Sequence, residues 1–213
     1  MYLPLMFKSN GMRVLLVGGG EVAARKLELL SAAECAITVI SPNIHESLKN
    51  AVTIGDVDWM ERDFCAGDCI GYQLIIAATE NRAVNQEIYA EAVSLGIPIN
   101  VVDDPELCTV IFPAVWRHGS LNVSVSTEGG APFMASAVRN RLAVHAAPFA
   151  RWAEIAAEFR TVVRSEISDW NHKNRIYRQF VDAIGSQDPP DPPASKILED
   201  WLAWLSKIVS ERK

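Results

Sequence analysis

Three groups of residues in this 213-residue chain have types and spacings that could do chemistry. The first is Gly18-Gly19-Gly20-Glu21-Val22-Ala23, a G-x-G-x-x-A pattern. Residues without side chains let backbone approach a pyrophosphate, and a helix beginning there turns its unpaired amides and positive dipole end toward the same charge. The pattern follows RVLLV, a branched apolar run that reads as a strand. It precedes EVAARKLELLSAA, where Val22, Ala23, Leu27, Leu30 and Ala33 recur at helical spacing, and then a second strand-like run, CAITVIS. Together these make a βαβ unit of about 30 residues, the setting in which a glycine cluster reads as a dinucleotide site rather than a structural turn. The acid expected about 20 residues later, where it would bind the adenine ribose, is missing. Ser41-Pro42-Asn43 stands there instead, so Ser41 and Asn43 are the ribose hydrogen-bonding candidates and the residues do not choose between NAD and NADP.

The second group is Asp103, with Asp104 beside it, directly after the strand-like INVV. Ligands of doubly wound sheets bind outside the carboxyl ends of the strands, so an acid there could serve as a general base. An Asp starting a turn before Pro105 is the competing reading. The third group runs from Ser124 through Ser126, Thr127, Gly129 and Gly130 to Pro132. Hydroxyls and glycines feeding a helix start could seat a carboxylate or phosphate, with Arg139 and Arg141 following on that helix. Helix capping alone would also account for the hydroxyls.

The elements that must position these groups alternate. Helices are expected over about 44–52 and 82–95, and strands at 57–60, 74–78 and 99–102. This order predicts a parallel sheet covered on both faces. Past Asp103 the pattern changes: TVIFPAVW and LNVSVST read as strands joined by a turn at Arg117-His118-Gly119-Ser120. A helix then runs from Pro132 to about Ala146, and Pro148 opens another. Along the latter, Phe149, Trp152, Ala156, Phe159, Val163, Ile167 and Trp170 form one apolar stripe, suited to an intersubunit or interdomain contact. DPPDPP at 188–193 reads as a stiff linker to a final amphipathic helix carrying Trp201 and Trp204. The fold class expected is therefore α/β: a doubly wound parallel-sheet domain (1–112), a small α+β region (113–146) and a helical C-terminal domain (147–213).

Composition bounds the function. With 49% hydrophobic and 22% charged residues and a mean hydropathy of +0.09, the chain is globular rather than disordered, and no apolar run reaches the length of a membrane span. No export signal is read at the start, so a cytoplasmic location is expected. Four scattered cysteines and four scattered histidines predict reduced thiols and no preformed metal cage. Residues 1–111 hold 7 Lys and Arg against 15 Asp and Glu, a balance of −8, whereas residues 112–180 hold 9 against 5, or +4. An anionic ligand would favour the second region. The basic residues are too dispersed for nucleic acid to be expected.

Four segments in order, LLVGGGEVAARK, LIIAATENRAVNQEI, INVVDDPE and FPAVWRHGSLNVSVSTEGGAP, resemble the precorrin-2 dehydrogenase/sirohydrochlorin ferrochelatase family, found alone or as the first part of sirohaem synthase. The resemblance runs from about Leu3 to Leu142; beyond that only helical character agrees. It implies NAD-dependent oxidation of precorrin-2 to sirohydrochlorin and, in some members, insertion of ferrous iron as a second substrate at the same site. It implies a homodimer in which a Rossmann-type domain (1–112) is followed by a dimerisation region (113–146) and a helical tail, and the lack of a long apolar run agrees with no membrane partner. It places Gly18, Gly19, Gly20, Glu21, Val22, Pro42 and Asn43 against the cofactor, and matches Asp103 to the aspartate used in both reactions. Thr79, just after the 74–78 run, completes the cofactor set, and Ser126, Thr127, Gly130, Arg117, Arg139 and Arg141 are the expected contacts to an octacarboxylate tetrapyrrole. Thr127 falls where some members carry a phosphorylatable serine, so that control would be absent or altered here. The methyltransferase part of fused members is not among these residues, so precorrin-2 would be made elsewhere. The Trp201/Trp204 helix is expected to dock on the partner subunit.

Two rivals remain at this stage. A dimeric NAD(H)-sensing module without catalysis would need the glycine cluster and the apolar stripe, but neither a proton acceptor nor a tetrapyrrole-sized anionic cleft. A ferrochelatase alone would need no NAD.

Overall fold

The structure, a computed structural model, describes residues 1–184 and 194–210. The 188–193 linker expected from the sequence lies outside them. Two compact units follow one another, Met1–Phe112 and Pro113–Lys213.

The first unit is a five-stranded parallel sheet in the order β3-β2-β1-β4-β5, with strands β1 (Arg13–Val17), β2 (Ala36–Ile40), β3 (Val57–Met60), β4 (Leu74–Ala77) and β5 (Ile99–Val101). Helices α1 (Glu21–Ser31), α2 (Glu46–Thr53) and α3 (Arg82–Ser94) make the crossovers. Strands of such a sheet are buried on both faces, which is why their sequences are continuous apolar runs. Val14 and Leu16 of β1 join α1 and α2 in one core with Leu27, Leu30 and Leu48, whereas Leu15 and Val17 face the other way into a core with Ile88 and Ala92 of α3. Asn81 starts α3 by accepting hydrogen bonds from the amides of Ala83 and Val84. The strands are added outward on one side of β1 as far as β3 and then on its other side from β4, so the crevice at the carboxyl ends of β1 and β4, which run parallel, is the topological switch point where ligands of doubly wound sheets bind.

In the second unit a hairpin of β6 (Ala114–His118) and β7 (Leu121–Val125) is covered by α4 (Pro132–Ala146). Residues 109–113, expected to begin the first of these strands, do not. The amides of Thr109 and Val110 both donate to the Ile99 carbonyl, and Thr109 Oγ1 accepts from the Ile99 amide, a side-chain-mediated pairing in place of a ladder. Arg117 and His118 belong to β6, and the turn is Gly119-Ser120 alone.

The expected single stripe is broken. Helix α5 (Phe149–Glu166) ends where Ile167 turns extended, and α6 (Trp170–Ile184) starts anew, Asp169 accepting from the His172 amide. Phe149 and Trp170, the two ends of the stripe, are exposed. Its centre is not an intersubunit contact either. Trp152, Phe159 and Val163 are buried against Ile176 and Phe180 of α6 and Leu205 of α7 (Ala194–Ser210). Phe159 stacks on Phe180 at 5.0 Å between ring centroids, and Trp201 lies 4.6 Å from Phe180. The Trp201/Trp204 helix thus buries its apolar face in its own chain, not on a partner.

Candidate active site

The glycine turn is held from two sides. Gly18 has φ +115°, a left-handed conformation that favours glycine, and a Cβ there would strike the Ala78 carbonyl after β4. A Cβ on Gly19 would strike the Asn43 carbonyl. The segment after β2 is tied down over it: the His45 amide donates to the Gly19 carbonyl at 2.6 Å and Ser41 Oγ donates to the Asn43 carbonyl at 2.6 Å. Ser41 is buried and its hydroxyl hydrogen is committed to shaping the loop, which leaves its oxygen lone pairs to accept a hydrogen bond. Pro42 and Asn43 remain exposed.

Gly20 differs from its neighbours. A Cβ there would meet nothing within 4 Å, and no side chain caps α1. The first-turn amides thus face open space, an arrangement suited to an anion. The acid in that turn, Glu21, is ionised, the Arg25 hydrogen bond holding its carboxyl below the usual range, and the paired guanidinium offsets its charge. Val22 is partly exposed on the next position. Thr79 Oγ1 donates to Asn85 Oδ1 at 2.7 Å, while Asn85 Nδ2 donates to the Thr79 carbonyl, so Thr79 is fixed at the mouth of the crevice with oxygen lone pairs still available.

Two strands along, β5 ends in a tight turn in which the Asp104 amide donates to the Val101 carbonyl. Asp103 occupies it with φ +58°. The two acids have different surroundings. Asp104 is paired with Arg82 at 2.9 Å and is largely covered, while Asp103 is exposed and its carboxylate makes no hydrogen bond or ion pair among the described residues. The turn is braced by Cys108, whose sulfur accepts from the Val101 amide at 3.2 Å and lies 3.1 Å from the Val101 carbonyl and 3.3 Å from that of Asp104. Burial raises the Cys108 thiol, keeping it protonated. Nothing in the spacing of the cysteines pointed to this brace; the signal was only its position five residues after Asp103. By strand spacing, the glycine turn and Asp103 stand about 10 Å apart on one edge of the sheet.

The residues expected to bind substrate lie in the second unit. Ser126 Oγ accepts from the Glu128 amide and Thr127 Oγ1 from the Ala131 amide, each at 3.0 Å. Capping therefore occupies the oxygens and leaves the hydroxyl hydrogens to donate. Gly130 follows a turn in which Glu128 and Gly129 both have positive φ. Arg117 bonds Asn122 across the hairpin. Arg139 donates to the Val115 carbonyl at 2.8 Å and its Nε is buried without a partner, so it anchors α4 on the hairpin. Arg141, two residues on and about 200° around the helix, is exposed on the other side. The two arginines do not form one carboxylate clamp.

Among the described residues no helix is long and apolar enough to cross a membrane, and no cluster of three or more His, Cys, Asp or Glu could hold a metal ion. Comparison with known proteins finds the siroheme synthase of Azotobacter vinelandii (strain DJ / ATCC BAA-1303) 42% identical over 206 residues, covering 95% of this chain and 44% of that protein. The siroheme synthase of Pseudomonas putida (strain W619) is 41% identical over 177 residues, 83% of this chain and 38% of that one. The chain spans less than half the length of these curated relatives, but the likeness reaches well beyond Leu142, where the sequence motifs stopped. The solved structure of SirC, precorrin-2 dehydrogenase, superposes with a TM-score of 0.73 at 20% identity over 97% of this chain and all of that one, a likeness of fold. A family model described as "Putative NAD(P)-binding" matches residues 5–114. That match covers half of the chain, including the whole parallel sheet and its uncapped glycine turn, and the chain belongs to this NAD(P)-binding family.

Proposed function

We propose that the chain oxidises precorrin-2 to sirohydrochlorin with NAD as hydride acceptor, a step in the making of sirohaem. The observation that carries this reading is Asp103, an unpaired carboxylate on a braced turn at the same sheet edge as the glycine turn. The names of the relatives and of the matching fold point to the same chemistry. The residues present fit the cofactor: the uncapped first turn of α1 and the open side of Gly20 would hold its pyrophosphate, and Pro42, Asn43 and Thr79 would flank it. When bound, NAD supplies the acceptor for the two electrons and one proton that leave as hydride.

The chain's own residues do the remainder. Losing a hydride from a ring carbon leaves a proton to be removed from the macrocycle, and Asp103 accepts it, so that precorrin-2 and NAD⁺ become sirohydrochlorin, NADH and H⁺. Cys108 and the Arg82–Asp104 pair keep that carboxylate in place and prevent its neighbour from competing for the proton. The hydroxyls of Ser126 and Thr127, the Gly130 backbone and the exposed Arg117 and Arg141 would take the substrate's carboxylates. Arg139 acts through them by fixing α4. The active form is a homodimer in which α4, exposing Phe133, Met134, Val138, Leu142 and Val144, meets a second copy. The site would be cytoplasmic, and ferrous iron would be a second substrate.

Anaerobic absorbance of purified protein with fresh precorrin-2 and NAD tests this directly. Sirohydrochlorin and NADH should form in equal amounts, and added ferrous iron should give sirohaem faster than without protein. NAD binding with neither product would leave the sensor reading in its place. Iron insertion without any dependence on NAD would favour the chelatase.

A further inference from the structure

The cations of the first unit are mostly committed: Arg25 to Glu21, Lys49 to Glu46, Arg62 to Asp68 and Arg82 to Asp104. Lys26 is not. It is half-buried on α1, its Nζ stands 4.4 Å over the centroid of the Phe112 ring, and among the described residues no carboxylate lies within ion-pair distance. Its surroundings belong to the site. Ala78, Val102 and Phe112 pack on the core that α1 helps to build, and Ala78 and Val102 immediately precede Thr79 and Asp103. Lys26 also lies one helical turn past Val22, on the same flank of α1.

We propose that Lys26 is a substrate-binding residue of the Asp103 site, its ammonium, seated on Phe112, taking one carboxylate of the tetrapyrrole. The inference rests on the reaction proposed above. An ammonium that has lost water and gained only a ring face still lacks an anion, and desolvation holds it below the usual lysine value although the charge of Asp103 works the other way. Asp103 cannot supply that anion by contact and still be free to take a proton. A macrocycle bearing eight carboxylates can, and a carboxylate fixed at Lys26 would locate the ring against Asp103. The pyrophosphate of the cofactor is the other anion at hand, but the uncapped amides of Gly20 and the next residues already provide for it, about 9 Å along the helix from Lys26.

The test compares wild type with Lys26→Met, which keeps the stem and removes the charge, and with Lys26→Arg. The probe is uroporphyrin, a stable octacarboxylate, titrated by calorimetry alongside NAD. Lys26→Met should weaken uroporphyrin about tenfold and raise the KM for precorrin-2 as much, with kcat nearly unchanged, NAD affinity intact and a shallower salt dependence. Lys26→Arg should restore most of the loss. Unchanged uroporphyrin affinity overturns the proposal, as does a loss confined to NAD. If Lys26→Met does not fold, acetylation of wild type read by mass spectrometry still decides: uroporphyrin should protect Lys26, and equal acetylation with and without it is a refutation. A protein that binds uroporphyrin through Lys26 but never oxidises precorrin-2 would sink the reaction and spare the lysine. Oxidation by Lys26→Met with an unchanged KM for precorrin-2 would do the reverse.

Discussion

The two units solve the placement of functional groups in opposite ways. In the first, a parallel sheet with apolar strands sends every strand end to one edge, so the glycine turn, Thr79 and Asp103 are delivered there by backbone geometry. In the second, an aromatic helical core of Phe159, Phe180, Trp201 and Trp204 carries no candidate chemistry and leaves it to the hairpin, α4 and the loop before it. Charge follows the same division, with −8 in residues 1–111 and +4 in 112–180. The acid that would take a proton and the arginines that would hold carboxylates are encoded in separate cores, with Lys26 the one proposed carboxylate contact on the acid's side, so loss of the acid and loss of the arginines should have separate effects.

The largest expected effect tests that separation. Asp103→Ala should lower turnover by at least about a hundredfold while the affinities for NAD and for uroporphyrin stay within about twofold, measured by steady-state kinetics and calorimetry. Comparable activity in the variant would remove Asp103 from the reaction. Next is Gly19→Ala, whose methyl group would meet the Asn43 carbonyl. It should lose NAD binding and lower the melting temperature, whereas Gly20→Ala should lower affinity with little change in melting. Equal melting losses would mean that the open side of Gly20 is not what distinguishes the two.

In the second unit, Phe159→Ala removes a ring that is 1% exposed and should cost about 3–5 kcal/mol in denaturant unfolding. NAD binding by the first unit should persist at denaturant concentrations where the helices have melted; a single shared transition would show the cores to be coupled. The smallest effect concerns Cys69, fully buried, whose thiol burial pushes up to about 12. Because its folded value lies above the ordinary 9.0, its stabilising contribution is complete below about 9 and is lost as pH rises toward 12. Alkylation at pH about 8 should label exposed Cys65 first and Cys69 last.

The first unit was largely readable because each signal was local. Branched apolar runs mark β1, β2 and β4, the glycines stand between strand and helix, and the acid follows β5 directly. The edge strand β3 was legible too, at Val57–Met60. What escaped depended on tertiary pairing. Residues 109–113 are branched and apolar like a strand, yet Thr109 satisfies Ile99 with its hydroxyl and the ladder never forms. Periodicity carried the stripe across Ile167 because nothing in an apolar spacing registers a change of backbone conformation; Asp169, three residues before the amide it caps, was the signal for the new helix. In the site, Arg139 and Arg141 looked like a pair only until the helix placed them on opposite sides. Lys26 gave no signal, since its importance comes from Phe112, 86 positions away in sequence.

The left-handed backbone of Asp103 has a consequence for how this chain can change. Glycine would be more comfortable at φ +58°, so Asp103→Gly should relieve roughly 0.5–1 kcal/mol of strain, seen as a slightly higher melting temperature, while abolishing the proposed oxidation. Selection for robustness alone would push this position toward glycine. A homologue with glycine at the same turn would be a better-folded protein without the proposed proton acceptor.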